Sequence, residues 1–214
     1  MTASIPVSIA EAIESHTGSI ITNFSPAGGG CINIGGKVST SGNAYFVKWN
    51  DLEKYPEMFV VEAKGLSLLR KTRSLYVPEV IHAGTADKFQ YLLLEHIEGG
   101  TRRRSYWSDF AFGLASLHRT TSETFGLDHN NYIGSLRQFN TQTSSWIEFF
   151  VEQRLLRQLR LACDRGKLES VATRKFDALF AKLPSLLVDE SPSLVHGGVC
   201  RGNVMIGSAG HPCL

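Results

Sequence analysis

The sequence predicts an α+β fold with two lobes, a small antiparallel-sheet lobe over residues 1–98 and a mainly helical lobe over residues 99–214. Three observations lead to this prediction. Short apolar runs separated by turn residues fill the first part of the chain, as strands of a sheet would. From about Trp107 onward, apolar residues instead recur at helical spacing. Between the two parts, an apolar strand runs into Gly99-Gly100, a flexible junction.

Bulk composition excludes several classes of protein. A hydrophobic share of 43% with 20% charged residues is typical of a folded globular chain. The net charge of +2 is too small to indicate binding to nucleic acid or to an anionic membrane. No apolar run approaches the roughly 18 residues of a membrane span, and no export signal is visible. With four cysteines and no such signal, the sequence predicts a cytoplasmic protein with free thiols.

The first elements are a helix and two strands around a glycine-rich run. Ser8 and Glu11 have capping-box spacing, which predicts a helix that ends at Gly18. Strands are expected over residues 19–24 and 44–49. Between them lies Gly28-Gly29-Gly30-Cys31-Ile32, with a second glycine pair shortly after it. Most glycine runs are simply turns, but such a run also lets backbone amides approach phosphate oxygens closely.

A lysine and a glutamate form the first specific pattern. Lys48 interrupts the apolar strand 44–49, where an edge lysine with its amine in solvent is the ordinary interpretation. The following helix is expected to start near Pro56 and to place Glu62 in an apolar stripe. A carboxylate in such a stripe is costly unless it has a cation. Because Lys48 lies on the preceding strand, we expect the two side chains to pair.

The rest of the chain supplies two more strands and several helices. Strands are expected over residues 77–83 and 89–94, and the second ends in Glu95-His96-Ile97, which we call the hinge. A helical stripe over residues 107–117 ends at His118, whose role we expect to be structural. Ser145 and Glu148 predict the cap of a long helix that ends near residue 166. A further helix over about 168–183 should stop at Pro184.

The loop from His196 to Asn203 has the spacing of a kinase catalytic loop. In that loop an Asp two positions after the His accepts the hydroxyl proton, and the Asn binds magnesium. Here the middle position is Gly198, so the general base is missing. A different interpretation is a metal site, because four potential nitrogen or sulfur ligands lie close in the sequence, although their spacing is unlike common zinc sites. They are His196, Cys200, His211 and Cys213.

In this order, the glycine loop, strand lysine, helix glutamate, hinge and His…Asn loop resemble aminoglycoside-phosphotransferase-like kinases, and more closely the fructosamine (ketosamine, ribulosamine) 3-kinase family. Three stretches carry the closer resemblance, and it extends over nearly the whole chain. They are Gly28-Gly29-Gly30-Cys31-Ile32 with Phe46-Val47-Lys48; Phe125-Gly126-Leu127-Asp128 with Asn131-Tyr132-Ile133-Gly134; and Trp146-Ile147-Glu148-Phe149-Phe150 with Arg154-Leu155.

The resemblance implies a protein-kinase-like fold and ATP-dependent phosphorylation of the 3-hydroxyl of a protein-bound or small ketoamine, a step that reverses glycation. It also implies site residues. Lys48 and Glu62 would position the nucleotide phosphates beside the glycine loop of Gly28, Gly29, Gly30 and Cys31; Glu95, His96 and Ile97 would bind adenine; and Asn203 would bind Mg²⁺.

Two departures from the family pattern predict weak catalysis. Gly198 stands at the position of the family's catalytic Asp, and the chain ends at Leu214, before the family's metal-binding Asp-Pro-Ala segment. By the resemblance, the helical lobe is therefore incomplete. Loss of a general base typically costs about 10²–10⁴ in rate. The alternative function is a pseudokinase or truncated product that holds nucleotide or glycated protein without turnover.

Cys31 is expected to be redox-active. Backbone amides of a glycine-rich loop favour the thiolate, and members of the resembled family carry a reactive cysteine at this position. An ordinary exposed thiol is the competing interpretation. The redox hypothesis predicts a disulfide-linked homodimer through Cys31.

Overall fold

The computed structural model describes residues 4–28 and 32–214. The chain divides into two compact units. Unit 1 combines the chain up to His118 with Val195–Leu214, and unit 2 is Arg119–Leu194. The predicted boundary between residues 98 and 99 falls inside unit 1.

Six α-helices and nine strands are found in the described ranges. In chain order they are α1 (Val7–Thr17), β1 (Ile21–Ala27), β2 (Ile34–Thr40), β3 (Ala44–Asp51), α2 (Met58–Lys71), β4 (Val80–Ala86), β5 (Phe89–Glu95), α3 (Tyr106–His118), β6 (Asn131–Ile133), β7 (Leu136–Gln138), α4 (Trp146–Phe149), α5 (Leu156–Asp164), α6 (Ser170–Leu186), β8 (Met205–Ile206) and β9 (Pro212–Cys213). A π-helical turn, Phe150–Leu155, joins α4 to α5, and a 3₁₀ turn, Arg201–Asn203, precedes β8.

Unit 1 is built on a five-stranded antiparallel sheet with the strand order β1-β2-β3-β5-β4. Each face of the sheet is covered by one helix. Helix α1 contributes Ile9 and Ile13 to a core whose sheet members are Val38, Val47, Trp49, Tyr91 and Leu93. On the other face, Phe59 of α2 packs with Leu92 and Leu94. Strands alternate between these two cores, so every sheet residue has a defined face.

Strand β2 is one element that the sequence prediction missed, and the β6–β7 hairpin is another. Gly35 and Gly36 read as part of a loop, but both lie within the strand. A Cβ at Gly36 would collide with the Ser25 carbonyl oxygen and with the Phe24 ring on β1. The glycine is therefore needed for close packing between two strands, and strand propensity alone does not reveal such a need.

Two helix predictions were right about existence and wrong about detail. Helix α1 ends at Gly18 with φ +66°, as expected, but it begins at Val7 without a side-chain cap, so Ser8 lies inside its first turn. Helix α3 buries Tyr106, Gly113 and Leu117, whereas Trp107 is 61% exposed. Leu117 of the predicted stripe is therefore buried as expected, whereas its first member, Trp107, lies on the exposed side.

Unit 2 contains the β6–β7 hairpin and the last three helices. Ser145 is the N-cap of α4, as predicted, and its hydroxyl accepts a bond of 3.3 Å from the Glu148 amide. The expectation that Pro184 ends α6 was wrong, because the helix continues to Leu186. No helix in the described ranges of either unit is long and apolar enough to cross a membrane.

Candidate functional site

Lys48 and Glu62 form the expected pair. Because Val47 and Trp49 face the α1 core, Lys48 points to the opposite face of β3, toward α2. Its ammonium donates to the Glu62 carboxylate. The two side chains are 20% and 32% exposed, so the pair lies at the edge of the core, accessible to a ligand.

A glycine lies directly opposite this lysine. Gly35 is the register partner of Lys48. A Cβ at Gly35 would lie 3.3 Å from Lys48 Cβ and 2.9 Å from the Val47 carbonyl oxygen. The absence of a side chain therefore leaves open the surface beside the lysine. Of the predicted glycine loop, only Gly28 is described, as an exposed residue after β1; Gly29, Gly30 and Cys31 lie outside the described residues.

The hinge begins where β5 ends. Three groups surround the Glu95 carboxylate: the Tyr76 hydroxyl and the Glu79 amide donate to it, and Arg70 Nη1 lies 3.8 Å away. The bond to Glu95 raises the pKa of the Tyr76 hydroxyl. The Glu95 side chain is thus engaged by groups of the protein itself. A ligand at the hinge would therefore be recognised by the hinge backbone. Within the part of the chain that the structure describes, no hydrogen bond reaches the Ile97 amide.

A cavity of about 630 Å³ adjoins the hinge in unit 1. Its walls come from the chain before β4, the hinge and the β8–β9 turn. The turn approaches closely because Gly100 donates its amide to the Ile206 carbonyl at 2.9 Å. A side chain at Gly100 would strike the Gly207 carbonyl oxygen. The glycines at this junction therefore allow close backbone contact as well as flexibility.

The His…Asn loop is ordered by contacts within itself. The Gly198 amide donates to His196 Nδ1 at 3.2 Å, and Asn203 Nδ2 donates to the Gly198 carbonyl at 2.7 Å. Burial lowers the pKa of His196, while the Glu62 charge acts in the opposite direction. A neutral imidazole that accepts at Nδ1 carries its proton on Nε2. In this arrangement His196 has no free lone pair, so it does not replace the missing base.

Gly198 leaves an open position in this loop. A Cβ at Gly198 would lie 3.6 Å from Asn203 Nδ2 and 3.9 Å from His196 Nδ1, both ordinary contact distances. Its backbone is outside the left-handed region, unlike that of Gly197, whose φ is +78°. The fold would therefore accommodate a side chain at the position where the base is expected.

Asn203 is the residue predicted to bind magnesium, and this role stays a prediction. Asn203 offers its amide oxygen, because its nitrogen is engaged with Gly198. Residues 4–28 and 32–214 contain no group of three or more His, Cys, Asp or Glu that could hold a metal ion, and this covers the four His and Cys residues suggested above. The donors present in the described residues do not fit a complete Mg²⁺ site.

Three of the cysteines are described, and all three are free: Cys163, Cys200 and Cys213. Cys31 lies outside the described residues, so its redox role and the linked dimer stay predictions.

Sequence reasoning missed one ion pair at this site. Lys37 Nζ lies 2.5 Å from Glu98 Oε1, and the pair joins β2 to the residue after the hinge. In a strand, Lys37 faces the side opposite to Gly36 and Val38, and this alternation could have indicated the face of the lysine. It could not be used because residues 34–40 were not identified as a strand.

A strand lysine paired with a glutamate on the next helix, an open hinge and a His…Asn loop together define the class of protein-kinase-like folds. The model of the fructosamine kinase family matches residues 6–214. The chain belongs to the fructosamine kinase family.

Individual relatives agree with this assignment. Protein-ribulosamine 3-kinase of Arabidopsis thaliana, a chloroplastic protein, is 35% identical over 199 residues, which cover 91% of this chain and 60% of the relative. A Synechocystis protein assigned to the ketoamine kinases is 37% identical over 190 residues, covering 87% and 62%. The chain thus spans about three fifths of the length of these curated relatives.

Solved structures confirm the α+β fold class. A Haemophilus somnus protein assigned to the fructosamine-3-kinases has a TM-score of 0.84 at 27% identity, covering 97% of this chain and 70% of the other. Aminoglycoside phosphotransferase APH(4)-Ia has a TM-score of 0.60 at 15% identity, covering 96% and 68%, a likeness of fold alone.

Proposed function

We propose that this chain carries the nucleotide-binding part of a ketoamine kinase. The reaction is transfer of the γ-phosphoryl group of ATP to the 3-hydroxyl of a protein-bound fructosamine or ribulosamine. The observation that carries the proposal is the partly exposed Lys48–Glu62 pair between β3 and α2, in a chain that belongs to the fructosamine kinase family.

Each part of the cleft has a role in binding. The Ile97 amide donates to the adenine ring. Lys48 binds the phosphate oxygens, and Glu62 holds its ammonium in place. Phe46 of β3 is paired with Leu94, close to the hinge, and Lys48 lies two residues further along β3. Two residues of a strand span about 6.6 Å, which suits a base at one end and phosphates at the other.

The chemical step needs a proton acceptor, and neither Gly198 nor His196 in the described loop provides one. As the hydroxyl oxygen attacks the γ-phosphorus and ADP leaves, the hydroxyl proton must pass to an acceptor. Gly198 has no side chain, and His196 accepts the Gly198 amide at Nδ1. We therefore expect slow phosphoryl transfer by this chain. This expectation favours a second candidate function, in which the chain binds nucleotide or glycated protein without turnover.

The first experiment tests nucleotide binding. Titration with ATP should show binding to the wild-type chain, and Lys48→Met should weaken it, because the phosphates lose their cation. Lys64→Met, on the exposed side of the same helix as Glu62, is the matched control and should bind like wild type. Equal affinities for all three proteins would mean that residues 21–97 do not form the proposed nucleotide site.

A second experiment separates the two functions. Phosphate transfer from ATP to a fructosamine or ribulosamine peptide is measured for four proteins: the unmodified chain and its Gly198→Asp variant, each alone or continued with the last third of a family relative. Only Gly198→Asp in the continued chain should give strong transfer, about 10²–10⁴ above the others. Strong turnover by the unmodified chain would show that another residue is the base, and our account of the loop would be wrong.

A further inference from the structure

Lys37 and Glu98 join two parts of unit 1 that are 61 residues apart in sequence. Lys37 lies in β2 between Gly36 and Val38, which face the α1 core. Its side chain therefore points to the opposite face, the same face as Lys48. The Nζ–Oε1 distance to Glu98 is 2.5 Å.

The position of this pair relative to the hinge follows from the strand register. Lys37 is opposite Phe46, and Phe46 is opposite Leu94, so the three residues form one row across β2, β3 and β5. The chain continues from Leu94 into the hinge and reaches Glu98 four residues later. The Lys37–Glu98 contact thus connects the end of the hinge back to β2, the strand on which the row begins.

The row lies where the proposed function places the base. A ring that accepts a bond from the Ile97 amide would lie beside Phe46, the half-buried member of the row, because Leu94 is only 6% exposed. The side chains of Lys37 and Glu98 are 34% and 65% exposed. Exposed pairs of this kind are weak, so ligand binding can displace the contact.

We propose that the Lys37–Glu98 ion pair is a strap that closes the base-binding end of the cleft and must open before a nucleotide is admitted. This inference rests on the proposed function, because it takes the cleft to be a nucleotide site.

His96 provides an independent report on the strap. Its Nδ1 lies 3.4 Å from the same Glu98 oxygen and has no hydrogen-bond partner among the described residues. Burial lowers the pKa of His96, and the Lys37 charge lowers it further, while Glu98 raises it. Removal of the Lys37 charge should therefore raise the pKa of His96 if the strap is formed in solution.

The main test measures the association rate of a fluorescent ATP analogue by stopped flow at about 0.15 M salt, where steering beyond about 8 Å is screened but a contact ion pair is retained. Lys37→Met and Glu98→Gln each break the strap, and each should speed association by about two- to five-fold. The exchange Lys37→Glu with Glu98→Lys restores an ion pair and should return the rate to the wild-type value. Lys64→Met removes the same charge elsewhere and should leave the rate unchanged.

The outcomes separate the strap from the proposed function. Binding by the single variants but not by wild type would also support the strap. If every protein binds at the same rate, the strap is wrong and the nucleotide site stands. If Lys37→Met alone weakens binding, Lys37 is a nucleotide ligand and the strap is wrong. If no protein binds, both proposals fail. An unchanged His96 pKa in Lys37→Met, measured by NMR, would show that the pair is not formed, whatever the nucleotide data.

Discussion

The backbone of Gly35 lies against Lys48 so closely that a methyl group there would be 3.3 Å from the lysine Cβ and 2.9 Å from the carbonyl oxygen of Val47. The second neighbour is backbone and cannot rotate away. We expect Gly35→Ala to destabilise the protein by about 1–3 kcal/mol through overpacking and to weaken ATP binding by displacing Lys48. Urea denaturation and ATP titration measure the two effects. Gly42→Ala, in a turn with open space around the glycine, should change neither.

Gly198 and Gly197 are adjacent and should respond in opposite directions to the same substitution. Gly198 has room for a Cβ and an ordinary φ. Gly198→Ala should therefore be neutral or stabilise by up to about 1 kcal/mol, because alanine lowers the conformational entropy of the unfolded chain. Gly197 has φ +78°, and Gly197→Ala should cost about 1–2 kcal/mol. Thermal or chemical denaturation decides between them. Destabilisation by Gly198→Ala would mean that the loop does not have the open position described here.

The stacked rings of His16 and His82 should make stability depend on pH. Their centroids are 4.1 Å apart, at the end of α1 and on β4. Burial lowers the pKa of His82, and His16 lowers it further. Because the unfolded chain then binds protons more readily than the folded one, the free energy of unfolding should decrease as the pH falls below about 6.5.

His16→Gln removes the neighbouring charge and should reduce this pH dependence, since the pKa of His82 moves back toward its ordinary value. Urea denaturation at several pH values between about 5 and 7.5 measures both slopes. His96 and His196 also have lowered pKa values, but they are common to both proteins and cancel in the comparison. Identical slopes would contradict the role given to the His16–His82 contact.

Asn140 is the buried polar centre of unit 2 and is only 2% exposed. Its amide nitrogen donates to the His129 carbonyl at 2.9 Å and to Asn131 Oδ1 at 3.0 Å, and its oxygen accepts from Arg154 Nη2 at 2.7 Å. Asn140→Ala leaves a carbonyl and a guanidinium short of partners, which should cost about 3 kcal/mol. The exposed neighbour Gln142 provides the control: Gln142→Ala should lie within about 0.5 kcal/mol of wild type in the same denaturation experiment.

Much of the sheet lobe and its lysine–glutamate pair could be predicted, because these depend on local periodicity. The alternation around Lys48 and the helical spacing of Glu62 determine their faces, and the chain between them is short. The same logic failed for β2. Gly35 packs closely against β3 and Gly36 packs closely against β1, so neither position has room for a Cβ. A sequence pattern does not show which glycines are packed against another strand in this way.

Helix ends and buried faces were predicted less well. Pro184 lies within α6, two residues before its end, so the helix continues past a residue that cannot donate an i→i−4 bond. The stripe on α3 was assigned from large apolar residues. Gly113 is buried so close to Leu75 that a Cβ would strike its side chain, and hydrophobicity alone does not reveal a small residue on a buried face.

The two stretches of unit 1 are separated by the whole of unit 2, and this has a consequence for how the protein is made. The β8–β9 hairpin completes unit 1 through bonds such as that from the Leu214 amide to the Tyr76 carbonyl at 2.9 Å. During synthesis these contacts must wait for residues 119–194 to emerge. The entry and exit of unit 2 are tied together by the bond from the Leu194 amide to the Thr120 carbonyl at 2.8 Å. Early closure of this second unit would bring the two halves of the first into proximity and shorten the effective loop between them.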